Sequence, residues 1–241
     1  MNVYPELKMK NYLVIGASSG IGRELATILK RDGNKVYASY RNNPVKPEDK
    51  GVEYHFLDVE ADILNLDFLP DKLDGIAYCP GTINLKPFVR VKPEDFIADF
   101  NLQVLGAVKV IQATLPRLKK AETASVVMFS TVAVKMGFNF HSLVSTSKGA
   151  VEGLVRSLAA EFAPKIRVNC IAPSITDTPL ASGLLNSDPK REANAQRHPM
   201  KRVGSVSDIA QMAAFLLSDR SGWVTGQVIG VDGGISSLKV N

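Results

Sequence analysis

The segment KNYLVIGASSGIGRELATILKRDG, residues 10–33, is the part of the sequence that most directly indicates a fold. It begins with the short apolar run 10–15, continues through a loop that holds three glycines, and ends in a segment whose apolar residues recur at helical spacing up to Gly33. A strand, a glycine-rich turn and a helix in this order direct backbone N–H groups and a helix N-terminus at a phosphate. Glycines suit such a turn because a Cβ would block the close approach of a pyrophosphate. The alternative is an ordinary tight turn between strand and helix.

The rest of the chain alternates short apolar runs with longer helical segments. Further strands are predicted at 35–40, 52–57, 75–78, 125–129, 166–171 and 225–231. Helices are predicted at 93–118, 141–163 and from Ser207 onward. Strands that are apolar on both faces and alternate with helices are typical of a parallel sheet covered by helices on both sides. The predicted fold class is therefore α/β, a single doubly wound Rossmann-type domain over residues 1–241 with a mostly parallel seven-stranded sheet.

Two connections between these elements are irregular. Residues 60–72 are interrupted by Pro70, so no full crossover helix is expected there. Residues 175–205 contain three prolines, many polar residues and no sustained period. A loop of this length inside a compact domain is usually functional, so we interpret 175–205 as a lid over a substrate and call it the lid segment.

Composition narrows the classes of function. The net charge of +5 is spread along the chain without a basic arm, which argues against nucleic-acid binding. No run of 18 apolar residues indicates a membrane span, and the first twelve residues lack the apolar core of a secretory signal. Cys79 and Cys170 lie in or beside strand-like runs, which favours free thiols over a disulfide. We expect a cytoplasmic protein without a metal site.

The end of the second strand carries a clue to the ligand. In a dinucleotide-binding fold this position lies at the adenosine ribose, where a carboxylate binds the 2′-hydroxyl and an arginine accommodates a 2′-phosphate. The sequence here is Tyr40-Arg41, with a guanidinium and no carboxylate, so NADP(H) is favoured over NAD(H). A surface arginine without a ligand is the alternative. Asp58, after the third strand, could accept a hydrogen bond from adenine or could cap a helix.

Residues 125–163 combine groups that can handle protons. Ser130 and Thr131 follow a buried strand, and Lys148 lies on the sheet-facing side of the next long helix. A lysine in that place is costly unless it binds something, and a ribose would supply the partner. Asn101 lies inside the preceding helix, where asparagine is mildly unfavourable, so a hydrogen-bonding role is plausible for it.

With these motifs assembled, residues 10 to 235 resemble the short-chain dehydrogenase/reductase family. The matching residues are Gly16-x-x-x-Gly20-x-Gly22, Asp58-Val59, Gly81 of Cys79-Pro80-Gly81, Asn101, Lys148, Arg167-Val168-Asn169, Ala172-Pro173-Ser174 (with Ser174 in place of a glycine), Thr178 and Asp232-Gly233-Gly234. The resemblance implies a cofactor site formed by Gly16, Ser18, Ser19, Gly20, Ile21, Gly22, Arg41, Asp58, Val59, Gly81, Lys148, Pro173, Ser174 and Thr178.

The resemblance also implies a chemistry. Members of the family transfer hydride between nicotinamide and a carbonyl or alcohol, and they use a tyrosine for the proton, a lysine for the ribose and a serine for the substrate oxygen. Here Thr131 falls at the serine position, with Ser130 as the alternative register, and Val144 falls at the tyrosine position. Valine cannot transfer a proton.

Three interpretations of this gap remain open. In the first, the protein is an NADP(H)-dependent oxidoreductase whose proton comes from another group. The candidate is His141, seven residues before Lys148 on the same helix face, and the catalytic set is then Lys148, Thr131, Asn101 and His141. Water on Lys148 is a further source. In the second, the protein binds the dinucleotide as a weakly catalytic sensor or scaffold. In the third, it is a non-redox lyase or isomerase that uses His141 or Asp177.

The expected partners are small molecules and further copies of the chain. The substrate is expected to be a small carbonyl or alcohol compound, and an acyl-carrier-linked compound is compatible with the basic surface. The helices 93–118 and 141–163 carry more apolar residues than one narrow stripe needs. The family resemblance implies a homodimer or homotetramer through these helices.

Overall fold

The seven strands form one sheet in which every neighbouring pair is parallel. The structure, a computed structural model, describes residues 9–43 and 52–239. The strands are β1 Asn11–Ile15, β2 Lys35–Tyr40, β3 Val52–Phe56, β4 Gly75–Tyr78, β5 Ala124–Phe129, β6 Ile166–Pro173 and β7 Val228–Val231. Their spatial order is β3-β2-β1-β4-β5-β6-β7, so the order reverses between β1 and β4. In such sheets the crevice at the carboxyl ends of the strands, beside this reversal, is the usual ligand site.

Helices cover both faces of the sheet, as predicted. They are α1 Gly20–Arg31, α2 Pro93–Phe100, α3 Gly106–Leu118, the short α4 Ala133–Met136, α5 Ser142–Phe162, α6 Asp188–Gln196 and α7 Val206–Leu217. Tyr12 and Val14 of β1 point to a core formed with α1 and α7, whereas Leu13 and Ile15 point to the core formed with α3 and α5. The alternation of buried residues follows from the period of two in a strand and explains why these strands read as continuous apolar runs.

Several element predictions need correction, among them the sixth strand, which ends at Pro173 rather than residue 171. The third strand ends at Phe56 rather than residue 57, and the last begins at Val228 rather than residue 225. Gly226 has a φ of +72°, which interrupts an extended chain, and the Asn169 side chain accepts a hydrogen bond from the N–H of Gln227 in place of a strand partner. The predicted helix 93–118 contains a π-helical turn at Asn101–Leu105 between α2 and α3.

The lid segment is more ordered than the sequence predicts. It contains the 3₁₀ turn Pro179–Leu184 and the helix α6. The sequence of α6, DPKREANAQ, has no apolar stripe and no buried residue, so its helical period is invisible to hydrophobic patterning. By contrast, residues 60–72 contain no helix, as expected from Pro70.

The apolar residues offered as a subunit interface belong partly to the core. Five apolar residues of these two helices, Val104, Val110, Ile111, Val151 and Val155, are buried inside this chain. Ile97 and Leu105 do remain exposed on the same helices. Within the described residues, the run Pro93–Leu118 is also long and apolar enough to span a membrane, a property that core helices of soluble proteins share. The dimer or tetramer stays a prediction.

Two further predictions concern the cysteines and the N-terminal segment. Both cysteines, which lie in the described part of the chain, are free thiols, as predicted. Residues 1–8, part of the N-terminal stretch in which no secretory signal is expected, lie outside the described residues.

Candidate active site

A cavity of about 300 Å³ lies at the carboxyl ends of β4, β5 and β6. Its walls come from the ends of these strands, the first turns of α5 and the lid segment. The residues that line it are Ile21, Cys79, Gly81, Thr82, Ile83, Leu85, Phe129, Ser130, Thr131, Val132, Phe138, His141, Val144, Lys148, Pro173, Ser174, Ile175, Thr176, Thr178, Leu180, Ala181, Leu184, Asn194, Arg197 and His198. The cavity therefore brings together most of the predicted catalytic residues with the part of the predicted cofactor site that follows β4 and β6.

The glycine loop packs against this cavity. Gly16 has a φ of +75°, and a Cβ built on it would lie 3.2 Å from the backbone nitrogen of Pro80. A Cβ on Gly20 would lie 3.6 Å from the Thr178 side chain. The loop thus lies between the turn after β4 and the start of the lid segment. Ser19 precedes α1 without a side-chain cap, which leaves the first N–H groups of α1 available to a phosphate.

Lys148 reaches the cavity from α5 and is 8% exposed. Burial lowers the pKa of its ammonium to about 8, while Cys170, Asp99 and Cys79 act in the opposite direction. No described residue forms a hydrogen bond with it, and a Cβ on Gly81 would lie 3.5 Å from its Nζ. The same Cβ would lie 3.4 Å from Oε1 of Gln103, a buried oxygen without a hydrogen-bond partner. A donor, Nζ of Lys148, and an acceptor, Oε1 of Gln103, therefore lie unpaired beside Gly81, which has no side chain to fill the space. This arrangement fits the hydroxyls of a nicotinamide ribose.

The Ser130 and Thr131 hydroxyls at the end of β5 differ in whether they already donate a hydrogen bond within the chain. The Ser130 hydroxyl donates to Oε1 of Glu152 at 2.7 Å. Oγ1 of Thr131 accepts one hydrogen bond, from the N–H of Ala133 at 3.3 Å, so its own O–H is left for a ligand in the cavity. This geometry favours the register with Thr131 in the serine role.

His141 and Val144 both line the cavity ahead of Lys148. Nδ1 of His141 lies 2.8 Å from the carbonyl oxygen of Asn139, to which it donates, so Nε2 is the nitrogen left for a ligand. The imidazole also lies edge-on to Phe138, with 5.4 Å between ring centres. Phe140, just before it, has a φ of +70°, an uncommon backbone state that is enriched at functional sites.

Comparison with known proteins identifies the family. A family model described as Enoyl-(Acyl carrier protein) reductase matches residues 16–236. The 3-oxoacyl-[acyl-carrier-protein] reductase FabG of Thermotoga maritima is 31% identical over 95% of this chain and 98% of its own length. The L-xylulose reductase of Bos taurus is 30% identical over 92% and 94%. The chain belongs to the short-chain dehydrogenase/reductase family.

Solved members of the family share the architecture. The aldohexose dehydrogenase of Thermoplasma acidophilum superposes with a TM-score of 0.86 at 26% identity and covers 98% of both chains. A short-chain type dehydrogenase/reductase from Mycobacterium ulcerans gives a TM-score of 0.83 at 29% identity over 94% of this chain and 90% of its own. The predicted fold is confirmed. As a short-chain dehydrogenase/reductase, the protein is an oxidoreductase that depends on a nicotinamide dinucleotide.

The glycine-loop residues Gly16, Ser18, Ser19, Gly20 and Gly22 do not line the cavity, and neither do four other predicted residues. Asn101 begins the π turn and is half-buried, and its side chain forms no hydrogen bond within the described part of the chain. Val59 is buried in the core, where a Cβ on Gly106 would touch it.

Arg41 forms ion pairs with Asp58, at 3.2 Å, and with Glu60. No helix follows Asp58, so its alternative role as a helix cap is wrong. Its carboxylate instead accepts from the N–H of Glu60 at 3.0 Å.

A buried polar network beside Lys148 was missed from the sequence. Asp99 accepts hydrogen bonds from the Thr82 hydroxyl and, at 2.7 Å, from Nε2 of Gln103. These donors stabilise a carboxylate that is almost fully buried. The spacing of Asp99 and Gln103, four residues apart on one helix, was the available signal.

His198 in the lid segment was also missed. It is 3% exposed, its Nδ1 donates to the carbonyl of Asn194 at 2.7 Å, and its Nε2 accepts from the Ser174 hydroxyl at 2.8 Å. A Cβ on Gly233 would lie 3.5 Å from its side chain, so the Asp232-Gly233-Gly234 turn packs against it. His198 thus joins the end of the lid segment to the end of β6. A single histidine before a proline gave no such signal in the sequence.

Proposed function

We propose that the protein is an NADP(H)-dependent oxidoreductase that transfers hydride to or from a small carbonyl or alcohol substrate, with a proton donor other than tyrosine. The observation that carries this proposal is the buried Lys148, which has no hydrogen-bond partner among the described residues. Its Nζ and the unpaired Oε1 of Gln103 both lie beside Gly81. A ribose would satisfy both groups, and an unpaired buried ammonium is otherwise hard to explain. The cavity beside it is the space for a substrate.

The residues of the chain have separable tasks in this proposal. The bound nicotinamide supplies or accepts the hydride. Lys148 binds the ribose and, as a nearby cation, stabilises negative charge that develops on the substrate oxygen. The free O–H of Thr131 donates to the same oxygen and orients it. Protonated His141 gives it a proton through Nε2, because Nδ1 is held by Asn139.

The preference for NADP(H) is supported by Arg41, but the arginine is already paired with Asp58 and Glu60. A 2′-phosphate must therefore replace Glu60 as its partner. We expect Arg41→Ala to weaken NADPH binding by about tenfold or more, since a charge-assisted contact is lost. Glu60→Gln should tighten NADPH binding by about threefold to tenfold, because the competing carboxylate is removed.

Calorimetric titration with NADPH and NADH measures both effects. NADH affinity should change little in either variant, which makes it the internal control. Tighter binding of NADH than NADPH by the wild type would contradict the cofactor assignment. Binding of neither cofactor would contradict the proposed function as a whole.

The proton donor is tested by a pair of substitutions in the first turns of α5. His141→Ala should lower kcat by about a hundredfold, as expected for loss of a general acid. Val144→Tyr in the same background should restore part of it, because the phenol would lie in the cavity one turn before Lys148. Steady-state kinetics over a carbonyl panel provides the readout. The panel includes 3-oxoacyl thioesters, since the Thermotoga maritima relative is named for a carrier-linked substrate. An unchanged kcat in His141→Ala would remove histidine from the mechanism.

A further inference from the structure

We propose that the substrate is an oxo- or hydroxycarboxylate with an apolar carbon chain, and that Arg197 binds its carboxylate at the mouth of the cavity. This inference rests on the proposed function, because it names the class of substrate for the same site. It assigns to Arg197 a role in specificity rather than in the hydride or proton transfer.

The first observation is the pairing of the arginines in the lid segment. Arg191 forms a bidentate ion pair with Asp177, with distances of 2.7 and 3.1 Å. Arg202 does the same with Asp208 at 2.6 and 2.9 Å. Arg197 lines the cavity and has no carboxylate partner among the described residues. Two of the three guanidinium groups are thus neutralised within the chain, and the third is left for a ligand.

The second observation is how Arg197 is held. Its guanidinium carbon lies 5.3 Å from the centre of the Phe138 ring, and the same ring lies edge-on to the imidazole of His141. A guanidinium over an aromatic ring is attracted by the ring and keeps its N–H groups free for another partner. The fork of N–H groups matches the two oxygens of a carboxylate. Arg197 is therefore held beside the cavity with donors available to an anion.

The third observation is the character of the walls. No aspartate or glutamate occurs among the described residues that line the cavity, whereas Lys148, His141 and Arg197 all do. The same lining also includes the apolar side chains of Leu85, Leu180 and Leu184. These side chains suit a hydrocarbon segment, and the guanidinium of Arg197 suits an anion at its end. The glycine loop proposed to bind the phosphates of the cofactor lies against Thr178, where a Cβ on Gly20 would be 3.6 Å from the side chain, whereas Arg197 lies over Phe138.

In this arrangement the carboxylate takes no part in the reaction. In the reductive direction, hydride goes to the carbonyl carbon and a proton goes to the carbonyl oxygen, which gives the hydroxy acid. The carboxylate keeps its charge and its bonds. Binding at Arg197 fixes the end of the substrate remote from Lys148 and Thr131, so its loss should raise KM more than it lowers kcat.

The test compares oxocarboxylates of increasing chain length with their methyl esters, using NADPH as the cofactor. The wild type should favour the acid over the matched ester by about tenfold or more in kcat/KM. Arg197→Met should remove this preference through KM of the acid and leave the ester unchanged. Lys190→Met removes a positive charge from the same lid helix, where Lys190 bonds Asn186 outside the cavity, and should keep the preference.

The outcomes separate this inference from the proposed function. Equal use of acid and ester by the wild type, or an equal loss for both in Arg197→Met, would overturn the carboxylate site and leave the oxidoreductase intact. If NADPH binds but neither compound is turned over, the proposed catalysis fails. Calorimetric titration of the acid and the ester into the NADP⁺ complex then decides the site: tighter binding of the acid that is lost in Arg197→Met supports it, and equal binding overturns it.

Discussion

Lys148→Met is expected to lower turnover severely and, at neutral pH, to make the unliganded protein more stable. Turnover should fall by about a thousandfold, since the variant loses both the proposed ribose contact and the nearby positive charge. The stability gain arises because methionine fills a similar space without the cost of a buried charge. A residue kept at such a cost in the free protein is one that a ligand requires.

The pH dependence of this stability has a definite sign. The pKa of Lys148 is 10.5 in an unfolded chain and about 8 in the folded protein, because burial disfavours the ammonium. Below pH 8 the folded protein carries the full cost, which corresponds to about 3 kcal/mol. As the pH rises from 8 to 10.5, the unfolded chain holds more protons than the folded one, so this cost disappears. The advantage of Lys148→Met should therefore shrink over the same interval.

Urea unfolding of both proteins at about pH 7 and about pH 9.5 measures the effect. The difference between the two proteins is the useful quantity, because burial, the main cause of the pKa shifts of the Cys79 and Cys170 thiols, is common to both. Burial raises the pKa of each thiol from 9.0 to about 12, so their contribution is lost as the pH rises above 9.

Lys109→Met is the matched control. The Lys109 ammonium donates to the carbonyls of Glu60 and Ala61 at 3.1 and 2.8 Å, so its replacement should destabilise the protein. A Lys148→Met variant that is less stable at pH 7, or that keeps its turnover, would show that the lysine has a structural role.

The sequence predicted those parts of the site that depend on local pattern. The glycine loop, the strand end at Thr131 and the helix that carries Lys148 are each defined by a run of neighbouring residues with a strand or helix period. Their convergence on one cavity follows from the parallel sheet, since the carboxyl ends of all strands meet at one edge.

The missed parts depend on contacts between residues distant in sequence. Ser174 and His198 are separated by 24 positions, and Thr82 and Asp99 by 17, with no local pattern that pairs them. The position of Arg41 was predicted from the end of a strand, but its partner Glu60 lies on another loop. Helix α6 was missed because its sequence is polar on every side.

Gly22→Ala is expected to destabilise the protein strongly and to remove dinucleotide binding. A Cβ at this position would lie 2.4 Å from the carbonyl oxygen of Gly16 and 3.2 Å from Cα of Ala17, so the obstacle is backbone rather than a flexible side chain. Gly16 is itself held in place. Its N–H donates to Oγ of Ser39 at 3.1 Å, and it lies so close to Pro80 that a Cβ on it would be 3.2 Å from the Pro80 nitrogen. We expect a loss of about 3 kcal/mol or more.

Gly153→Ala provides the control with the same added methyl group. Gly153 is exposed within α5, nothing lies within 4 Å of its Cβ position, and alanine should stabilise the helix by about 1 kcal/mol. Urea unfolding gives both energies, and calorimetry with NADPH gives the binding. If Gly22→Ala folds with near wild-type stability but binds no NADPH, the glycine serves the cofactor alone. If it binds NADPH normally, the loop is no phosphate site. Loss of both fits a glycine that lets α1 approach β1 closely enough for the helix N-terminus to reach a phosphate.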